Sequence, residues 1–359
     1  MVNLDDKNAI LKLQGGDAVL KSIDALPQQL QQSFTESLQV KFPDKYRNVK
    51  NIVVCGMGGS RFTPLIVKEL FKEEISLPYL INDDYNLPGF VDENTLVILS
   101  SYSGTTEEVI RCGKKAQTKG ALLAGLAAGD GVIDFLKSAN APFYVFDPKY
   151  NPSGQPRIGS GYMIGGHLGL LLNLGILKIE KLLINKTIEE LPSLLRNFTI
   201  DTKTEENPAK KLALQLQQRY PYYVVSEFLT GVGNAIANQT NETAKSISSF
   251  RIIPELNHHL MEGLKFPQKH GELAVFVLFF SRFYSESVQK RFQITKEVIE
   301  QNKIKTVWIE LNGENKIEQT FYLMGLGSYM TMYLSALYEQ DPAVIPYVDY
   351  FKKKLKEMG

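Results

Sequence analysis

The chain has 359 residues, 44% of them hydrophobic and 22% charged, and its 40 Lys and Arg nearly cancel its 39 Asp and Glu. That length exceeds one typical core and favours two domains. The balanced charge excludes a global field for nucleic acid or an anionic membrane, so any anion specificity must be local.

A helical segment spans residues 16–39, and after a turn around Pro43 the apolar run 52–55 predicts a strand. A helix over 64–71 and strands over 79–81 and 96–99 follow. The acidic start Glu107-Glu108 opens a helix over 107–118, then come a strand over 121–126, a helix over 132–138 and a strand over 143–145. Strands alternating with helices of this length predict a parallel sheet covered on both faces. Between 149 and 165 the pattern breaks into Pro, Gly and Ser and predicts a loop, with an apolar helix over 162–177. The polar stretch 201–208 marks the crossing into a second half. Strands over 222–226, 273–280 and 306–309, an Asn-rich helix after Gly231-Val232-Gly233, and helices over 326–338 and 345–355 repeat the βα logic there. The expected architecture is α/β: two doubly wound domains, 1–200 with its leading helix and 201–359.

The first residues lack the basic-then-apolar pattern of a signal peptide, and the apolar stretches 162–174 and 273–280 are too short or too Gly-rich to span a bilayer. Cys55 and Cys112 have no CxxC spacing and no neighbouring histidine, which argues against a disulfide framework or zinc site and fits a reducing cytoplasm.

Chemistry concentrates in a few segments. Ser101-Tyr-Ser-Gly-Thr-Thr106 joins the end of a strand to a Glu-rich helix start. Helix N-terminal N–H groups carry partial positive charge, and short hydroxyls add donors without filling space, so this is a phosphate cradle in outline. A second strand-turn-helix, Gly56-Met-Gly-Gly-Ser60, has the same character. It is not a dinucleotide fingerprint: Arg61 stands where the third glycine belongs. Arg157 follows a strand end behind a rigid proline, and its permanent charge suits a developing oxyanion. Asn241-Glu-Thr-Ala-Lys245 and Pro254-Glu-Leu-Asn-His-His259 place a carboxylate and imidazoles in one short span, enough to divide base and acid work. Adjacent His258 and His259 chelate a metal poorly. His167, in an apolar helix, reads as a satisfied core residue. The basic tail around Lys352, Lys353 and Lys354 reads first as a helix end that complements the macrodipole.

Taken in order, these blocks resemble those of the bifunctional phosphoglucose/phosphomannose isomerases, in the sugar-isomerase (SIS) domain superfamily. The match runs from Gly-Met-Gly-Gly-Ser60 through Ser101–Glu108, Gln155-Pro-Arg157, Asn241–Lys245 and Pro254–His258 to Asp341-Pro342 and Lys352. The resemblance implies two SIS subdomains and a homodimer with shared active sites, acting on a phosphorylated hexose, with no cofactor, metal, nucleic acid or membrane. Gly59, Ser60, Ser101, Ser103 and Thr106 would bind the phosphate. Glu242 would move a proton between C2 and C1, and Arg157 would steady the cis-enediolate. His258 would assist ring opening from the partner subunit, with Lys352 at the same end. The implied reaction interconverts glucose 6-phosphate, and mannose 6-phosphate, with fructose 6-phosphate; the alternative is a non-catalytic sugar-phosphate regulator. The chain departs from the family pattern at Arg61, Thr105, His259 and Ala343, and in Asn234, Ala235 and Asn238, where basic residues are expected. Arg61 would crowd or reinforce the anion site. Ala343 replaces a threonine that could serve both C2 epimers.

Overall fold

The computed structural model describes residues 2–358. Three helices lead: α1 (Lys7–Leu11), α2 (Gly16–Asp24) and α3 (Leu26–Ser37). A first alternation follows, with β1 (Asn51–Cys55), α4 (Gly59–Leu70), β2 (Tyr79–Asn82) and β3 (Thr95–Ser100), then α5 (Glu107–Thr118), β4 (Leu122–Ala127), α6 (Asp130–Ser138) and β5 (Phe143–Val145). Helices α7 (Ser160–Asn173), α8 (Lys181–Leu195) and α9 (Pro208–Leu216) connect it to a second. There β6 (Tyr220–Ser226), α10 (Thr230–Thr243) and β7 (Ser249–Ile253) precede the short helices α11 (Leu256–Gly263) and α12 (His270–Leu273). The chain continues through β8 (Ala274–Phe280), α13 (Glu286–Gln301) and β9 (Lys305–Glu310) to α14 (Lys316–Leu337) and α15 (Pro346–Glu357).

Every strand pairing is parallel. The first sheet runs β2-β1-β3-β4-β5 and the second β7-β6-β8-β9, so strand order reverses between β1 and β3 and again between β6 and β8. In open α/β sheets the crevice at such a reversal, beyond the strand C-termini, is where ligands sit. Strand β3 is buried along its whole length, as a sheet covered on both faces requires. Helices α7 and α14 are buried nearly all round and serve as internal scaffolds, α7 against α3 and α4, α14 against α9 and α10. Helices α4 and α10 join the two sheets. Their backbones meet so closely that a Cβ at Gly231 would lie 2.5 Å from the Ile66 backbone. No helix among the described residues is long and apolar enough to cross a membrane.

Several boundaries differ from expectation for identifiable reasons. The segment 16–39 divides at Ala25, because Pro27 starts a new helix in its first turn. The loop expected over 149–165 ends at Gly159, and α7 claims the small residues from Ser160 onward. Helix α14 begins ten residues before the expected 326, where Asn315 caps it by accepting from the N–H groups of Ile317 and Glu318. Helix α4 begins at Gly59, five residues before the expected 64, and so carries Pro64 in its interior. Pro64 has no N–H for the Ser60 carbonyl four residues back. The Ser100 hydroxyl donates to that carbonyl instead, at 2.8 Å.

Candidate active site

The two Gly/Ser/Thr turns emerge side by side at the β1/β3 reversal, as their sequences suggest. Within the second turn, Ser101 Oγ accepts the Gly104 N–H and lies 2.8 Å from Thr106 Oγ1. Ser103 is exposed, its hydroxyl 3.0 Å from Thr105 Oγ1. Thr106 occupies the N-cap of α5, and Glu107 and Glu108 follow in the first turn. The two turns are tied together: Tyr102 N–H donates to Ser60 Oγ at 2.7 Å. Ser60 makes no donor contact of its own among the described residues, so its proton remains available to an anion.

The first turn also touches the loop that carries Arg157. A Cβ at Gly59 would stand 3.3 Å from Arg157 N and from the Pro156 carbonyl carbon, so a side chain there would push the loop away. The same loop reaches the second turn through Asn151, whose Nδ2 donates to Tyr102 Oη and to the Gln155 carbonyl. Arg157 itself is buried, and its guanidinium is fully spoken for. Nε donates to Thr243 Oγ1 at 2.9 Å; Nη1 donates to Gln155 Oε1 at 2.9 Å and to Glu242 Oε2 at 3.4 Å; Nη2 donates to the carbonyls of Pro342 and Ala343 at 2.7 and 2.8 Å. Burial pulls the Arg157 pKa below its ordinary value, opposed by the charges of Glu242 and Asp341. A guanidinium keeps its proton regardless, so Glu242 faces a fixed positive charge. Cradle, Arg157 and Glu242 thus form one continuous set.

Lys245 belongs to this set, although nothing in the residue pattern singles it out beyond its place at the end of the Asn241–Lys245 block. Its Nζ donates to the carbonyls of Glu242 at 2.8 Å, Thr243 at 3.3 Å and Asp341 at 2.6 Å. The residue as a whole is exposed while its ammonium is enclosed by these carbonyls. Burial, then the neighbouring Arg157 charge, pushes its pKa down to about 8. Lys245 also has a positive φ of 54°, a strained backbone for a side-chain-bearing residue. It satisfies the open carbonyl end of α10, the turn that presents Glu242.

The second sheet has a matching reversal, and there the cradle is filled from within. The turn from β8 into α13, Ser281 to Ser285, parallels the turn from β3 into α5. Ser285, the N-cap of α13, gives its N–H to both carboxylate oxygens of Glu227, at 3.1 and 3.2 Å, and its hydroxyl to Oε1 at 2.6 Å. Glu227 stands right after β6 with φ of 43°. A carboxylate of the chain's own occupies the place where the first sheet presents the hydroxyls of Ser60, Ser101 and Ser103.

Four residues singled out in the sequence lie elsewhere. His258 and Glu242 are close in sequence but not in space. Helix α10 descends from the C-terminal end of β6, Glu242 near its far end, roughly 18 Å below its start at 1.5 Å per residue. Parallel β7 climbs back and releases α11 at the opposite end. His258 and His259 are exposed there, His259 Nε2 lying 3.9 Å from Glu255. Lys352 is exposed on α15, none of whose residues is buried. Arg61 is held by partners outside the two turns. Its Nε donates to Asp83 at 2.6 Å and its Nη1 to Asn234 Oδ1 at 3.0 Å, linking α4 to α10. The two cysteines are free and buried. They share Asn82 Nδ2 as a donor, and their mutual contact raises the Cys55 pKa and lowers that of Cys112.

His167 is only half satisfied, contrary to expectation. Nε2 lies 3.0 Å from Ser100 Oγ, whereas buried Nδ1 has no partner. Burial alone lowers the imidazole pKa to about 3. An unfolded histidine titrates near 6.5, so below that pH the unfolded chain binds a proton that the folded chain refuses. The resulting stability is complete above about pH 6.5 and is lost as pH falls toward 3, by up to about 5 kcal/mol at 1.36 kcal/mol per unit. Urea-unfolding midpoints of the wild-type protein should therefore drop steeply across that window, and His167→Gln should flatten the drop. Equal acid limbs in both proteins would remove His167 as the cause.

The chain is similar to several known proteins. Residues 205–355 match the family model described as the bacterial phospho-glucose isomerase C-terminal SIS domain. The chain is 30% identical over 342 residues to a bifunctional phosphoglucose/phosphomannose isomerase of Caldicellulosiruptor bescii, covering 95% of this chain and 99% of that one. A protein of the same description from Aquifex aeolicus is 27% identical, over 86% of this chain and 91% of its own. Among solved structures, a hypothetical protein from Thermus thermophilus superimposes with a TM-score of 0.73 at 14% identity, covering 99% of this chain and 93% of that one. A glucose-6-phosphate isomerase like protein from the same organism gives a TM-score of 0.59 at 20% identity, over 96% and 99%.

Proposed function

The chain belongs to the bifunctional phosphoglucose/phosphomannose isomerase family, and from that premise we propose that it interconverts glucose 6-phosphate, and mannose 6-phosphate, with fructose 6-phosphate. The observation that carries this reading is the Arg157–Glu242 pair, 3.4 Å apart, braced against the loop that also holds the hydroxyl cradle. The phosphate sits among Gly59, Ser60, Ser101, Ser103 and Thr106. Glu242 removes the C2 proton of the open-chain aldose and returns it at C1, with a cis-enediolate between. Fixed charge at Arg157 favours that anion without having to move. A non-catalytic regulator would need the cradle but would leave a partly exposed carboxylate beside a buried guanidinium without a task.

The reading includes two SIS subdomains, 1–200 and 201–359, a cytoplasmic setting, and a homodimer with shared sites. Three features support the dimer. His258 lies at the wrong end of its own second sheet to serve Glu242, so a second copy must supply the histidine if one acts there. Helix α15 and its C-cap expose an apolar stripe, Val348, Phe351, Leu355 and Met358, right after the Asp341–Ala343 segment held by Arg157 and Lys245. An open groove of about 610 Å³ beside Lys245, edged by exposed Ile247 and Leu273, gives a second unpartnered surface at the Glu242 end.

Incubation with glucose, mannose and fructose 6-phosphates in turn, without added metal, tests the function directly. Fructose 6-phosphate should form from glucose 6-phosphate, and more slowly from mannose 6-phosphate, since Ala343 offers no hydroxyl to the C2 epimer. No conversion of any of the three would refute the isomerase reading.

Replacing Ser101 and Ser103 with Ala should raise KM for the sugar phosphates more than it lowers kcat, because phosphate contacts persist throughout the reaction. Free glucose should be a negligible substrate. Equal turnover of glucose and its 6-phosphate would defeat the phosphate site.

A further inference from the structure

We propose that His167 is a positioning residue of the cradle, acting through Ser100 on the Ser60 backbone; this rests on reading the cradle as a phosphate site. The argument is a proton count in a buried chain of three groups. Ser100 Oγ has one proton, and it lies 2.8 Å from the Ser60 carbonyl and 3.0 Å from His167 Nε2. If that proton goes to Ser60, His167 must donate from Nε2, and the only unmet group is the Nδ1 lone pair. If it goes to His167, the imidazole carries its proton on Nδ1, where it has no partner, and the Ser60 carbonyl loses its bond as well. One unmet acceptor costs less than an unmet donor plus an unmet acceptor, so the neutral Nε2–H tautomer is the one present.

The Ser60 carbonyl is open to this arrangement because Pro64 has no N–H to occupy it. Ser60 is thus held at two points, its carbonyl by Ser100 and its Oγ by the Tyr102 N–H. Its one hydroxyl proton has no acceptor among the described residues and is left for an anion at the reversal between β1 and β3. His167 directs the Ser100 proton, Ser100 anchors the first turn of α4, and α4 aims Ser60. Nothing in this chain of contacts touches Glu242, so the effect falls on phosphate affinity rather than on proton transfer.

Three variants and one spectrum test it. Inorganic phosphate, as a competitive inhibitor of the wild-type enzyme, establishes whether the cradle binds phosphate at all; no inhibition would overturn both readings together. Given inhibition, His167→Leu should raise the phosphate Ki and the fructose 6-phosphate KM roughly three- to tenfold, the worth of one net hydrogen bond, with kcat held within about twofold. His167→Gln, whose amide can reproduce the Nε2–H donor, should recover most of the loss. Should His167→Leu fail to fold, Ser100→Ala must show the same rise in Ki and KM. Folded His167→Leu or Ser100→Ala protein with wild-type Ki and KM overturns the proposal while leaving the phosphate site standing. The 15N spectrum of the wild-type protein should show His167 as neutral Nε2–H at pH 7, and an Nδ1–H signature would overturn the proton assignment on which the proposal depends.

Discussion

Glu242→Gln should bind sugar phosphates almost normally and lose roughly 100- to 10,000-fold in turnover, the usual worth of a general acid–base step. The amide matches the carboxylate in shape, and its oxygen can still accept from Arg157 Nη1, now 3.4 Å from Glu242 Oε2. The cradle lies on other elements and keeps its hydroxyls. What disappears is the group that takes the C2 proton, and that proton is in flight only in the transition state. Isotope exchange sharpens the test. In heavy water the wild-type enzyme should introduce deuterium at the C1 and C2 positions as it turns over, and the variant should introduce almost none. Near-normal turnover, or exchange at the wild-type rate, would remove Glu242 from the mechanism.

The same residue shows what is legible in the sequence and what is not. Strand-turn-helix patterns at Asn51–Ser60 and Thr95–Glu108 are readable because the period switches at a Gly- or Ser-rich break, and the structure sets both at one sheet reversal. Helix α5 and strand β5 have the expected boundaries. Strand β7 is not readable, because its residues are mostly only half-buried, which leaves no apolar alternation to follow. Without that strand, His258 and Glu242 look like neighbours. A parallel strand between two helices sends the second to the far end of the sheet, a consequence invisible in residue spacing.

Lys245 and Glu227 escape the sequence for a different reason. Lys245 acts through carbonyls of the backbone, two on its own helix end and one from Asp341, nearly a hundred residues away. Glu227 fills a cradle formed with a serine 58 residues downstream. Neither relation follows a period or a motif. Each depends on two turns meeting at a sheet edge, and only the strand order determines which turns meet. The two reversals therefore differ: at the first the hydroxyls bond to one another and to backbone N–H groups, while at the second Ser285 is satisfied by the chain's own Glu227 carboxylate.

Mixing Glu242→Gln protein with His258→Ala protein, under conditions that exchange subunits, should restore activity that neither shows alone. The expectation follows from the opposite placement of the two side chains around the second sheet of one copy. In a two-fold dimer each site would combine Glu242 of one subunit with His258 of its partner. A hybrid dimer then holds one site with both residues intact and one with both replaced. Random exchange makes about half the dimers hybrid, each with one working site of two, so recovery should approach roughly a quarter of wild-type activity. The margin is wide, because the Glu242→Gln background is expected to be at least about 100-fold down. Helix α15 offers a control on assembly: charged replacements at Phe351 and Leu355, exposed at 63% and 43% in a single chain, should abolish the recovery if the apolar stripe joins the subunits. Exchange verified by mass with no return of activity would mean that each subunit completes its own site, or that His258 plays no part in the reaction.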